Sequence, residues 1–134
     1  MIEFRVYGNP VPQGRPRLTT INGHAHAYDP AKSRDWKRTV HSIASEVVAK
    51  NSARFPLQGP LSVTLRFYMP RPKSLPKRVT HHTKRPDCDN LGKACLDAMQ
   101  GCLYRDDAQV WNLNVVKAYA DAPGVAIEIQ EGEK

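Results

Sequence analysis

The chain has 134 residues, 40% of them hydrophobic and 25% charged, enough for one packed domain over residues 1–134 and too little for two. No stretch nears the ~20 apolar residues of a membrane span, the opening MIEFRVYG lacks a signal-peptide layout, and three cysteines without a CxxC pair give no disulfide framework, so a cytoplasmic protein is expected. A net charge of +7 excludes an acidic, self-solvating chain and points to a polyanionic partner.

In chain order, residues 2–7, IEFRVY, alternate apolar and polar and read as a strand closed by Gly8, Asn9 and Pro10. Residues 11–28 carry prolines, glycines, Arg15 and Arg17 without a helical period and read as a mobile basic loop. Asp29-Pro30 is a helix start, an N-cap acceptor before a proline at the first helical position. The stripe Trp36, Val40, Ile43, Ala44, Val47, Val48 carries that helix to Lys50-Asn51. Arg34, Lys37 and Arg38 fall off the stripe, on a face that is either solvated or turned to a nucleic acid.

Residues 61–68, LSVTLRFY, form the clearest strand. Residues 70–86 follow with four prolines and six Lys/Arg and read as a flexible basic loop. A second helix starts at Asp89 or Asn90 with Leu91, Ala94, Cys95, Ala98 and Cys102 as its buried stripe, and Gly101 marks its end. Strands over 110–119 and 125–129 close the chain around a turn at 121–124. The result is a small α/β domain in β-α-β-α-β-β order, a four-stranded mixed sheet covered by two helices.

Charge is divided along this order. Residues 1–85 hold 16 Lys/Arg and 4 Asp/Glu, whereas residues 86–134 hold 4 and 9. A basic surface beside clustered carboxylates suits a protein that grips phosphates with cations and acts on one through a metal. Asp87 and Asp89 sit two apart in an extended lead-in, so their side chains point the same way. Together they can form a hard-cation site of the Mg²⁺ type, or simply cap the helix. Lys93, one turn after Asp89, is either a rim cation facing a phosphoryl group or an ordinary i,i+4 partner of Asp89 or Asp97. One carboxylate of the Asp106-Asp107 pair can complete the site, provided tertiary folding brings it back.

The run PDCDNLGKACLDAMQGCLYRDDAQV, residues 86–110, closely resembles the RusA family of Holliday-junction resolvases, whose pattern is D-x-D-N-L-x-K, then L/F-D-A-L, then D-D-x-Q-V/I. Only Gly92 and Met99 fit loosely. The opening GNPVPQGRPR is similar to the first loop of phage-borne members. The resemblance implies that Asp87, Asp89 and Asp107 are the metal-binding catalytic carboxylates and Lys93 the supporting cation. It makes Asp106 an indirect supporter, Asn90 a carboxylate-orienting or capping residue, and Gln109 a brace for the Asp106-Asp107 turn. It further implies a homodimer that nicks opposed strands of a four-way DNA junction with Mg²⁺, or Mn²⁺ in its place, without an organic cofactor or a covalent intermediate. Arg15, Arg17, Lys73, Lys77, Arg78, Lys84 and Arg85 are the expected DNA-binding cations. A non-cutting branched-DNA-binding protein and a general Mg²⁺ nuclease acting on flaps or single strands are the alternatives.

Overall fold

The computed structural model describes residues 1–14, 17–28 and 30–132, with the backbone alone at 17, 19 and 26–28. Strand β1 (Ile2–Tyr7) is followed by a hairpin of β2 (Arg17–Ile21) and β3 (His24–Tyr28), helix α1 (Ala31–Lys50), β4 (Leu61–Pro70), helix α2 (Cys88–Met99), β5 (Val110–Ala120) and β6 (Gly124–Glu131). The main sheet runs β1-β6-β4-β5, with β4 and β5 parallel and the other pairs antiparallel. It is therefore the expected four-stranded mixed sheet in an α/β domain.

Alternation decides which face is covered. In β4 the residues Leu61, Val63, Leu65, Phe67 and Met69 are buried, while the residues between them are half-buried. The buried set meets Trp36, Val40 and Ala44 of α1 and Leu91, Ala94, Cys95, Ala98 and Met99 of α2 in one core, so both helices lie on a single face. Each buried Leu, Ile or Phe contributes about 1.5–3 kcal/mol relative to exposure. Gly92 lets α2 approach β5: a Cβ there would stand 3.1 Å from Val115 Cγ2. Burial pushes the Cys95 thiol up to about 12, which leaves it an inert core side chain.

Two loop expectations are corrected. The stretch 11–28 contains the β2–β3 hairpin, paired from Arg17↔Tyr28 to Ile21↔His24. Its turn is Asn22-Gly23, with φ of 51° and 79°, the doubly positive geometry that matches strand twist and that Asn-Gly favours. The opening loop ahead of it is also tethered: Gln13 N donates to Asn90 O at 2.9 Å and Gly14 N to Ser33 Oγ at 3.3 Å. Arg15 and Asp29 lie outside the described residues, as does the side chain of Arg17. Helix α1 has Pro30 at its N-cap, one position from the expected start.

The basic stretch after β4 is likewise ordered against the sheet. Tyr119 N donates to Thr80 O at 2.9 Å, His81 bridges Ala118, and His82 is buried with its ring 4.9 Å from that of Tyr119. Proline content suggested an unpacked connector, but the turns at Pro72–Leu75 and Pro76–Val79 satisfy the backbone and lay the loop on the end of β5. No helix of the described residues is long and apolar enough to cross a membrane.

Candidate active site

Helix α2 opens at Asp87, whose backbone is extended (φ −75°, ψ 152°) and whose side chain makes no capping hydrogen bond. Its carbonyl accepts the first helical bond, from Leu91 N at 3.1 Å. Capping by carboxylate is therefore not what Asp87 does, and its oxygens remain available. Asp87, Asp89, Asn90 and Lys93 are all exposed. The segment leading in is fixed by Lys117 of β5, whose Nζ donates to Lys84 O and Pro86 O, each at 2.8 Å. The Arg85–Pro86 bond between those carbonyls is cis.

Asp89, Lys93 and Asp97 recur every four residues and so share one side of α2. Lys93 Nζ lies 3.7 Å from Asp97 Oδ1, and Lys37 of α1 lies 3.6 Å from Asp97 Oδ2. Lys37 thus joins the two helices. Both pairs are at least partly solvated, and ion pairs of that kind contribute about 0–1 kcal/mol, so their effect is on orientation and local charge more than on stability.

After α2, Gly101 adopts φ 83°, and Gly101 N donates to Tyr104 O at 2.6 Å, turning the chain back. Asp106 and Asp107 then take different tasks. Asp106 Oδ1 accepts from Ala108 N at 2.9 Å, while Gln109 Oε1 accepts from Asp106 N at 3.1 Å and Arg105 N at 3.0 Å, a capping box on the 3₁₀ turn Asp107–Gln109. Gln109 Nε2 donates onward to Leu57 O and Gly59 O at 3.0 and 3.1 Å, which anchors the turn to the segment before β4. Asp107 is oriented instead by Gln100, whose Oε1 accepts from Asp107 N at 2.8 Å, and by Tyr104, whose hydroxyl donates to Asp107 Oδ1 at 2.9 Å.

The electrostatics follow that geometry. Desolvation raises the Asp107 carboxyl above the ordinary carboxylate value, and the charges of Asp97 and Asp106 add to the rise; the Tyr104 hydrogen bond and Lys93 oppose it. Asp107, Asp97, Asp106 and Lys93 therefore form one electrostatic neighbourhood. Tyr104 is raised in turn, first by burial and then by Asp107. A carboxylate held in a place that disfavours its charge is suited to receiving a cation.

The structure does not gather Asp87, Asp89 and Asp107 into a tight triad: among the described residues, no three His, Cys, Asp or Glu side chains converge to hold a metal ion. The donor chemistry nonetheless fits a hard divalent cation. Among the described residues, Asp87 and Asp89 offer unpartnered carboxylates, and Asp107 keeps Oδ2 without a partner while Oδ1 accepts from Tyr104. Mg²⁺ takes one or two carboxylates and completes its octahedron with water and phosphate, so it does not require a closed protein cage.

Asp97, Gln100, Tyr104 and Lys117 were not assigned from sequence. Asp97 was legible as the i+4 neighbour of Lys93, and the other three act through contacts made only in the fold. Of the expected DNA-binding cations, Lys73, Lys77, Arg78, Lys84 and Arg85 are exposed on the loop before α2.

Exposed acids at a helix start, a desolvated aspartate returned by a tight turn and a basic loop beside them describe a phosphodiester-cleaving class, and comparison with known proteins agrees. The family model described as Endodeoxyribonuclease RusA matches residues 7–130, nearly the whole chain. This protein belongs to the RusA endodeoxyribonuclease family. It is also 39% identical over 140 residues to the Bacillus subtilis (strain 168) protein named "Uncharacterized protein YqaN", covering 97% of this chain and 96% of that one.

Proposed function

We propose that this protein is a Mg²⁺-dependent endodeoxyribonuclease that resolves four-way DNA junctions by paired nicks, acting as a homodimer in the cytoplasm. The observation that carries the reading is the division of labour in the Asp106-Asp107 pair. Asp106 is engaged in capping, whereas Asp107 presents an oxygen with no partner among the described residues, within the field of Lys93.

Asp87, Asp89 and Asp107 are the residues that hold the cation. When bound, a divalent cation supplies Lewis-acid polarisation of the scissile phosphate and a more acidic water. Lys93, exposed at the rim beside Asp97, supplies positive charge toward the developing negative charge on the phosphoryl oxygens. Asn90 sits beside Asp87 in the first turn of α2, and its carbonyl anchors the opening loop. Mn²⁺ substitutes because it shares the octahedral oxygen preference.

The homodimer is supported by the edge of the sheet. Strand β5 is an edge strand of the main sheet, paired along its length to β4 and met on its other side, among the described residues, only near its end by the His81–Ala118 bridge. Ahead of that bridge it exposes Trp111, Leu113 and Val116 in a stretch free of charge from Ala108 to Val116. Exposed apolar edges of this kind are places where chains associate. A two-fold pair places two equivalent sites on one junction.

The test compares a mobile four-way junction, a linear duplex and a flap, each with Mg²⁺, Mn²⁺, Ca²⁺ or chelator, alongside sizing of the protein. Paired symmetric nicks confined to the junction, Mg²⁺ dependence and a dimer are expected. Equal cutting of flaps or single strands by a monomer would replace the resolvase with a general nuclease. Tight junction binding without cutting in any metal would leave a binding protein.

A further inference from the structure

The opening loop, the first turn of α1 and the lead-in to α2 enclose a groove of about 770 Å³. Its walls include Gln13, Lys32, Arg85, Asp87 and Asn90. The groove is a built feature: the loop is tied to α2 by Gln13 N to Asn90 O at 2.9 Å and to α1 by Gly14 N to Ser33 Oγ at 3.3 Å. Backbone contact at Gly14 is close enough that a Cβ there would stand 2.8 Å from the Pro30 ring, so the loop is packed down on the start of α1.

Two cations from different elements line this groove, Lys32 of α1 and Arg85 of the basic loop, and both are exposed. Neither has an ion pair or hydrogen bond among the described residues. This contrasts with Lys37, Lys93 and Lys117 nearby, each committed to an acid or to carbonyls. Two uncommitted cations opposite one carboxylate, Asp87, leave the groove in need of negative charge. Its floor adjoins that proposed cation-holding carboxylate, so an anion lying in it is next to the place where a phosphodiester would be cut.

We propose that this groove is a phosphate subsite for the DNA strand flanking the cut, with Lys32 a substrate-holding residue that acts together with Arg85. The proposal rests on the nuclease reading and adds to it a residue on α1, about 55 positions before the acidic motif, whose task is to set which phosphate reaches Asp87. Lys32 lies outside every motif segment, which is why spacing could not find it.

The test is junction binding in Ca²⁺ by Lys32→Ala, Lys32→Arg and, as a control at the far end of α1, Lys50→Ala. Lys32→Ala weakens binding roughly fivefold to tenfold and flattens the slope of log K against log salt by about 1 per protomer, so about 2 for a two-fold pair on one junction, as loss of one phosphate contact in each copy requires. Lys32→Arg restores both, and Lys50→Ala changes neither. A set of junctions carrying one neutral methylphosphonate each, scanned around the cut, then locates the contact. At one position the wild type loses affinity while Lys32→Ala loses no more, the non-additivity expected of partners. Wild-type affinity and slope in Lys32→Ala, or equal methylphosphonate losses in both proteins at every position, overturn the subsite. Cleavage is read separately in Mg²⁺: a wild type that shows the Lys32-dependent phosphate but cuts no DNA keeps the groove and removes the nuclease, and a wild type that cuts while Lys32→Ala binds normally does the reverse.

Discussion

Tyr104 places a single hydroxyl proton between two acceptors, Leu96 O at 2.8 Å and Asp107 Oδ1 at 2.9 Å. When Asp107 is ionised, the proton serves the carboxylate; when Asp107 is protonated, the carboxyl can donate to the phenol and the phenol to the helix carbonyl. The pair therefore accommodates both charge states, and the tyrosine biases the aspartate toward the ionised one. Removing the hydroxyl in Tyr104→Phe should move the acid limb of the cleavage rate to higher pH, at a stability cost of about 1 kcal/mol. A pH–rate profile with an unmoved acid limb would show that Asp107 does not govern it.

Asp107→Asn tests the same residue from the stability side. A carboxyl raised in the fold stabilises fully below its unfolded pKa, and that contribution is lost as pH rises through the folded value. At neutral pH wild-type Asp107 is thus a net burden, moderated by solvent. Asp107→Asn should abolish nicking and melt no lower than wild type, as measured by calorimetry at pH 7. Loss of activity accompanied by a lower melting temperature would reduce the effect to misfolding.

Asp106 and Gln109 should behave oppositely. Asparagine caps helices as well as aspartate, so Asp106→Asn should fold and cut nearly as wild type, while Asp106→Ala loses about 1 kcal/mol. Gln109→Ala frees two backbone donors and two carbonyls at once and should cost roughly 1–3 kcal/mol. Denaturant melts paired with nicking assays decide this. If Asp106→Asn is inactive while Asp107→Asn cuts, the two aspartates exchange roles.

Lys117→Met should leave the sheet intact but release the carbonyls of Lys84 and Pro86 that stand just before Asp87. The expected outcome is a higher Mg²⁺ midpoint for cleavage with junction affinity in Ca²⁺ little changed. Unaltered Mg²⁺ dependence would make Lys117 a loop clasp without influence on the site.

Neutralising Lys73, Lys77, Arg78 and Lys84 together removes about eight cations from a homodimer and should flatten the salt dependence of junction binding by about 4 to 7 in slope if half to all of them meet phosphates, without moving the cut. A slope that stays as steep as wild type would place those side chains away from the phosphates.

Much of this was legible beforehand because periodicity reports burial. The stripe Trp36, Val40, Ala44 and the alternation from Leu61 to Met69 appear in the structure as core. The hairpin was hidden by surrounding prolines and glycines, although Asn22-Gly23 is a strong local turn signal. The basic loop was misread for a different reason: composition measures charge and rigidity, but the contacts of His82 and Tyr119 that hold it down are long-range. In the site, spacing could group Asp89, Lys93 and Asp97 along α2, whereas the Tyr104, Gln100 and Lys117 contacts need the fold itself.

Strands β4 and β5 run parallel, so the chain between them must cross from one end of the sheet to the other. That crossover contains the basic loop, Asp87, Asp89, Lys93, all of α2 and the Asp106-Asp107 turn. The groups proposed for cleavage consequently have no arrangement in a chain whose crossover is still open, since parallel pairing closes a long loop before any contact repays the entropy. Closing the β4–β5 crossover and assembling the groups proposed for cleavage are therefore one and the same event, so the proposed chemistry is tied to the folded sheet.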